Sequence, residues 1–254
     1  MAYGHKKWVF LNSIEHEYSY MGNYGAKGEK REKRDKPTPE QVEKQNQRNR
    51  ENYVRRLIKK NFRPGDYWIT LKYNKGTRKS VDEVKKDMQR FIANMRNAYK
   101  RQKEEFKYIY RVEIGSRGGI HIHIIMNRNR GKPNTDVLVD RYWKGGHPHY
   151  ALLYEDGDYR QLASYLVKQQ LDDQEPDEYL KRYHPSKNLI KPVPETKSYL
   201  KWTVKKLIED GPTPKEGFYI DRDTLVSGVN PYTGMSYLHY TEVRIKPIRG
   251  SDSG

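Results

Sequence analysis

The chain has 254 residues and a formal net charge of +17 at pH 7, with 50 Lys and Arg residues against 33 Asp and Glu residues. A charge of this sign favours a polyanionic partner, either nucleic acid or an anionic membrane surface. The lack of cysteine excludes disulfides, a zinc-ribbon cluster and a thiol nucleophile. The sequence also has no apolar run of about 18 residues that could span a bilayer and no apolar secretory stretch at its start, so we expect a cytoplasmic protein without a membrane partner.

The first part of the chain mixes glycine, tyrosine and charge without periodicity. We predict an irregular basic arm over residues 1–37, with either a solvated surface or an arm that follows phosphates as its role. Its most basic stretch contains Lys30, Arg31, Lys33 and Arg34. The 22 tyrosines of the chain mildly favour nucleic acid, because tyrosine stacks on bases as well as filling cores.

A helix is predicted from Thr38-Pro39 to about Asn61, because a capping residue and a first-turn proline precede it. A β-rich strand follows over 66–73. Ser80 and Glu83 then form a capping box, and apolar residues recur behind it at steps of three and four, which predicts an amphipathic helix.

Two further β-rich runs, 107–114 and 120–127, flank a glycine-rich loop over 115–119 and predict a hairpin. Side chains alternate faces along a strand, so His121 and His123 point the same way while the intervening isoleucines point into a core. Two imidazoles on one strand face are half of a metal site, or simply a polar strand face.

Glu113 lies opposite His121 or Ile122 if the hairpin closes through the loop. Two imidazoles and a carboxylate would then suit Mg²⁺ or Mn²⁺ beside a phosphate. The alternative for Glu113 is an ion pair with Arg111 or Arg117. A second pair, His147 and His149, is the weaker candidate because the intervening proline disrupts a central strand.

The remaining pattern indicates an α+β fold with a central, mostly antiparallel sheet and flanking helices. We predict helices near 136–143, 159–171 and 197–209, and strands near 149–154, 218–221 and 237–245. The predicted domain covers 38–195, and residues 196–254 are predicted to pack on that same domain as an extension.

Tyr165 and Lys168 are three residues apart in the predicted helix 159–171, so they would be neighbours on its surface. A phenol near an ammonium and a divalent ion is a usable nucleophile, although its ordinary pKa is about 10. In a chain this basic, however, many tyrosines have a lysine at that spacing.

The order of these motifs resembles the rolling-circle replication initiators, the Rep group of the HUH (His-hydrophobic-His) endonucleases of bacterial plasmid or phage type. The strand Trp68-Ile69-Thr70-Leu71-Lys72 is followed by His121-Ile122-His123 and then by Tyr165-Leu166-Val167-Lys168. The resemblance covers residues 66–170. Conjugative relaxases place their tyrosine before the metal motif, and single-tyrosine transposases are usually shorter.

The resemblance implies that His121, His123 and Glu113 hold Mg²⁺ or Mn²⁺ and that Tyr165 attacks a phosphate of single-stranded origin DNA. The products would be a free 3′-OH and a 5′-phosphotyrosine bond that can be rejoined. Lys168 would help to position the phosphate. Host polymerase and helicase are the implied partners, because no Walker A motif is present. Candidate DNA contacts are Lys72, Arg117, Lys30, Arg31, Lys33 and Arg34.

Two other functions remain open. A non-catalytic basic module would bind DNA or RNA without forming an adduct. A metal-dependent nuclease that activates water would cleave without a protein-linked product, and Tyr165 would then only pack.

Overall fold

The computed structural model describes residues 2–22, 26–115, 118–153, 158–168 and 177–248. The elements in chain order are β1 (Tyr3–Val9), β2 (Ser13–Tyr20), α1 (Pro39–Asn61), β3 (Tyr67–Lys72), α2 (Val81–Arg101), β4 (Tyr108–Ile114), β5 (Ile120–Met126), α3 (Thr135–Tyr142), β6 (His149–Leu152), α4 (Arg160–Val167), α5 (Glu178–Lys181), β7 (His184–Pro185), β8 (Glu195–Tyr199), α6 (Lys205–Asp210), β9 (Phe218–Asn230) and β10 (Met235–Arg244). The predicted α+β class is confirmed. The strands form two antiparallel five-stranded sheets, where one central sheet was predicted.

The chain divides into two compact units. Residues 1–49 and 191–248 form one, here called the terminal unit, and residues 50–190 form the other, the central unit. The C-terminal residues up to 248 therefore belong with the N-terminal segment, and not with the domain predicted over 38–195. None of the helices in the described ranges is long and apolar enough to cross a bilayer.

The terminal unit contains the sheet in the order β8-β1-β2-β10-β9. The prediction of an irregular segment over residues 1–37 is wrong for β1 and β2, which pair along their whole length. The reason is that polar side chains take inward positions, notably His16 and Glu242, which are buried. Its apolar core is rich in tyrosine and comprises Ala2, Tyr3, Tyr18, Ala26, Val204, Met235, Leu238 and Tyr240.

Residues 29–35 are attached to this sheet and do not form a loose arm. The carboxylate of Glu29 accepts hydrogen bonds from the Tyr3 hydroxyl at 2.6 Å and from the Ser236 backbone N–H at 2.6 Å. The N–H of Glu32 donates to the carbonyl of Gly234 at 2.8 Å. A polar segment without regular secondary structure is thus held by backbone and carboxylate hydrogen bonds, which composition does not indicate.

The central unit contains the sheet in the order β6-β3-β5-β4-β7. One face of this sheet packs against α2, whose predicted capping box is present, with the Ser80 side chain and the Glu83 backbone N–H hydrogen-bonded. The isoleucines of β5 that were predicted to face a core are buried. Core residues on this side include Ile69, Leu71, Met88, Phe91, Met95, Val112, Ile122 and Ile124.

The opposite face packs against the second half of α1 and against α4. Val54, Leu57 and Ile58 of α1 are buried, whereas Val42 in its first half is exposed. They share a core with Ile109, Ile125, Leu162, Ala163 and Leu166. This smaller core covers only part of the face and leaves room for polar side chains beyond it.

Three predicted elements differ from the structure. The helix predicted over 159–171 is α4, which ends at Val167, and Leu171 lies outside the described residues. The helix predicted over 197–209 is replaced by β8, which pairs with β1, followed by the short α6. A strand edge provides backbone partners there, and these outweigh the helical tendency of a lysine-rich sequence.

Candidate active site

The hairpin register brings the predicted metal-binding residues to one end of the central sheet. Glu113 pairs directly with His121, as one of the two predicted registers required, and Arg111 pairs with His123. On the other side of β5, Thr70 pairs with His123 and Lys72 with His121. Because paired residues share a face, all of these side chains lie on the α4 side of the sheet.

Glu113 and His123 are in direct contact. The Nε2 atom of His123 lies 3.1 Å from Oε2 of Glu113, and its Nδ1 atom lies 3.2 Å from the Thr70 hydroxyl oxygen. Burial lowers the pKa of His123, and the nearby Glu113 carboxylate opposes that shift. Both ring nitrogens are therefore held by neighbours, which fixes the orientation of the imidazole.

The phenol of Tyr165 reaches the same carboxylate. Its hydroxyl donates a hydrogen bond to Oε2 of Glu113, and its ring centroid lies 4.8 Å from that of His123. Burial raises the pKa of Tyr165, as do the hydrogen bond and the charge of Glu113. The phenol is therefore protonated at neutral pH, and its proton already points to an acceptor. Trp68 packs edge-on against this ring at 5.9 Å.

Arg111 supplies a buried cation beneath the site. This residue is 3% exposed, and its guanidinium donates a 2.7 Å hydrogen bond to the carbonyl oxygen of Leu166. Burial lowers the pKa of Arg111, while the charges of Glu113 and Tyr165 oppose that change. Sequence reasoning treated Arg111 only as an ion-pair partner of Glu113. The register opposite His123 was the signal that places it on the site face.

Two ligand atoms for a divalent ion already lie at a suitable separation. Mg²⁺ binds ligands at about 2.0–2.1 Å in octahedral geometry, which puts neighbouring ligand atoms about 3 Å apart. The 3.1 Å between Glu113 Oε2 and His123 Nε2 fits that spacing. His121 lies farther away, with its ring centroid 6.3 Å from that of His123. Among the described residues, no three His, Cys, Asp or Glu side chains form a ready metal cluster.

The other predicted site residues lie at the rim or elsewhere. Lys168 is exposed and follows the last residue of α4, so it is not a helical neighbour of Tyr165 as predicted. Lys72 is exposed beside His121. Arg117 lies outside the described residues. The exposed residues of the basic stretch all belong to the terminal unit, and they are Lys30, Arg31, Lys33 and Arg34.

His149, which sequence reasoning set aside, lies beside the site. It is the first residue of the edge strand β6, and it pairs with Thr70, so it shares the face that carries His123. Pro148 does not disrupt a central strand, because it precedes this edge strand. Two strand spacings of about 4.8 Å separate His149 from His123.

Residues 66–170 are similar to the family described as replication-associated protein ORF2. The matched region contains Glu113, His121, His123 and Tyr165, so it covers every residue of the contact network described above. Neither the curated proteins nor the solved structures give a match. The family similarity supports a role in replication for this chain.

Proposed function

We propose that the protein initiates rolling-circle replication by nicking single-stranded origin DNA with Tyr165 and rejoining it. The observation that carries the proposal is the contact between the Tyr165 hydroxyl and the Glu113 carboxylate, which itself contacts His123. A tyrosine placed only for packing would have no need of a carboxylate and an imidazole at its hydroxyl. The similarity to a replication-associated family supports the same function.

The chain's own groups have distinct roles in the reaction. The Tyr165 oxygen attacks the phosphorus, a new P–O bond to tyrosine forms, and the bond from phosphorus to the 3′ oxygen breaks. The phenolic proton leaves toward Glu113, and the departing 3′ oxygen takes up a proton to become a free hydroxyl. Reversal restores the phosphodiester, because the phosphotyrosine keeps the ester bond energy.

Glu113 and His123, with His121 after a side-chain rotation, would hold Mg²⁺ or Mn²⁺. Such an ion polarises the scissile phosphate and neutralises its charge. Arg111 holds the end of the helix that carries Tyr165, through the carbonyl of Leu166. Lys72 and His149 at the rim of the face would contact flanking phosphates, and host polymerase and helicase would then extend the free 3′ end.

The deciding experiment is a denaturing gel of labelled single-stranded DNA incubated with the protein and Mn²⁺. The wild-type chain should give a protein-linked product that survives denaturation, and Tyr165→Phe should give none while it still binds the oligonucleotide. Tyr53→Phe is the matched control, since Tyr53 is an exposed residue of α1 and should retain the adduct.

The alternatives give different gels. Cleavage without a linked product identifies a nuclease that activates water, and binding without either product identifies a non-catalytic DNA or RNA module. An adduct that persists in Tyr165→Phe would overturn the assignment of the nucleophile.

A further inference from the structure

A second candidate site lies in the central unit, in a cleft of about 310 Å³ that follows β3. Four aromatic residues contribute to its walls, and they are Tyr73, Phe91, Tyr142 and Trp143. Its volume falls at the lower end of the range for small-molecule sites, which matches one nucleotide better than a larger ligand. None of these four residues takes part in the contacts around Tyr165.

The charge of the cleft is predominantly positive. Lys79, Arg90 and Lys144 line it, against the single carboxylate of Asp87. Lys79 is paired with Asp87 at 3.3 Å, whereas Arg90 and Lys144 are exposed at the rim. Aromatic walls with cations at the rim are the combination that holds a stacked base and its phosphate.

The walls of the cleft are fixed by hydrogen bonds. The Trp143 indole N–H donates to the carbonyl of Lys72 at 3.0 Å, and the Asn74 N–H donates to the carbonyl of Gly145 at 2.8 Å. A Cβ at Gly146 would lie 2.8 Å from the carbonyl oxygen of Lys72, so only glycine permits this close approach of the two chain segments. A preformed cleft loses little entropy on binding.

The cleft and the Tyr165 site lie at the same end of the sheet. Lys72 pairs with His121 on the site face, and Tyr73 follows it on the α2 face, where the cleft opens. Arg78 connects the two, because its Nε lies 4.0 Å from the position of a Cβ on Gly118, next to the hairpin loop. A strand that leaves the site over this end therefore meets Lys72, Arg78 and then the cleft.

We infer that this cleft binds one nucleotide of the single-stranded DNA, a few nucleotides away from the phosphate that Tyr165 attacks. The aromatic walls hold the base, and Arg90 and Lys144 hold its phosphates. The inference rests on the proposed function for the direction of the strand, but binding in the cleft does not require cleavage. A site for free mononucleotides is the competing source of the same chemistry.

The first test is oligonucleotide affinity in EDTA, measured by anisotropy over a series of salt concentrations. With a strand of about 16 nucleotides, Arg90→Glu should weaken binding about tenfold and lower the salt slope by about 1. Lys100→Glu is the matched control, because Lys100 is an exposed residue of the same helix outside the cleft. It should change affinity less than about twofold, and equal effects of the two variants would overturn the inference.

The second test is photocrosslinking with 5-iodouracil placed at successive positions of the strand. One position should crosslink to Tyr73, Tyr142 or Trp143. Crosslinks that never reach these rings, or a free iodouridine monophosphate that crosslinks there while the strand does not, would overturn the inference. Adduct formation is scored separately, so a chain that crosslinks in the cleft but forms no adduct refutes the proposed function alone.

Discussion

The guanidinium of Arg111 donates a 2.7 Å hydrogen bond to the carbonyl oxygen of Leu166, the residue after Tyr165. This bond joins the strand that carries Glu113 to the helix that carries the nucleophile. The last carbonyls of a helix lack partners within it, and they carry partial negative charge, so a cation is a favourable partner there. The sheet thereby sets the position of the phenol.

Arg111→Met should separate positioning from binding. It removes a charged hydrogen bond to Leu166, so we expect about 1.5–3 kcal/mol less stability and at least about a tenfold slower formation of the adduct. Arg111→Lys should recover part of the rate, because an ammonium can reach a carbonyl but lacks the fork of the guanidinium. Urea denaturation and single-turnover kinetics measure both effects. A merely structural role would lower stability without slowing the adduct rate of the folded fraction.

Glu113→Gln keeps the shape of the side chain but removes its charge. We expect loss of adduct formation at saturating DNA and loss of the rise in melting temperature that Mn²⁺ gives the wild-type chain. Glu105→Gln is the control, because Glu105 is an exposed residue of the same unit. Undiminished activity of the wild type in excess EDTA would argue against any metal at this position.

The two histidines can be ranked by metal affinity. His123→Ala removes the imidazole that contacts Glu113, and His121→Ala removes the one farther away. Each should weaken Mn²⁺ binding at least about tenfold if both are ligands. Calorimetric titration measures this directly. An unchanged affinity in His121→Ala would reduce the ligand set to Glu113 and His123.

The capping box of α2 makes a prediction about stability alone. Ser80→Ala removes the side-chain acceptor for the Glu83 backbone N–H, and we expect the free energy of unfolding to fall by about 1 kcal/mol. Glu83→Gln is the control, because glutamine also serves in capping boxes. Chemical denaturation measures both variants. A larger loss in Glu83→Gln would show that the charge, and not the hydrogen bonds, stabilises this end.

The terminal unit should be sensitive to acid. His5 Nε2 lies 2.9 Å from His16 Nδ1, and burial is the largest cause that lowers the pKa of each imidazole from 6.5 to about 4. Lys7 adds to both shifts and Lys197 to that of His5, while Glu195 opposes the shift of His5; Glu242 lies 3.2 Å from His16. The unfolded chain binds more protons below pH 6.5, so stability should fall as the pH drops from about 6.5 to about 4.

The test of this pH dependence is the difference between the wild-type chain and His5→Gln. Glutamine can still donate to His16, but it does not titrate, so the variant should lose less stability between about pH 7 and about pH 4.5. Other titrating groups cancel in the comparison. Parallel stability curves for the two proteins would contradict the shifted pKa values.

The central unit was largely predictable because its local and long-range signals agree. The helical periodicity behind Ser80, the loop over 115–119 and the alternation around His121 each have one consistent interpretation, and together they place Glu113 opposite His121. The terminal unit was not predictable. Its strands bury His16 and Glu242 and stack His5 on Tyr18 at 4.1 Å, so hydrophobic alternation is absent from positions that face inward.

The contacts of Arg111 and Tyr165 were also beyond sequence reasoning. The register of a hairpin gives the face of a side chain, but the end of a helix depends on tertiary contacts. α4 stops at Val167, one residue after the carbonyl that Arg111 binds, and this end leaves Lys168 exposed outside the helix. A spacing of three residues therefore indicated a neighbour of Tyr165 that the helix does not provide.

The strand order of the terminal unit has a consequence for biosynthesis. β1 and β2 are made first, but their neighbours β8 and β10 are made last, after the whole central unit. A nascent chain can therefore complete the fold around Tyr165 while its opening hairpin still waits for partners. Loop closure over so many residues is slow, and an unpaired hairpin edge readily joins other strands. The ribosome thus releases an assembled centre before the sheet built from the two ends of the chain can close.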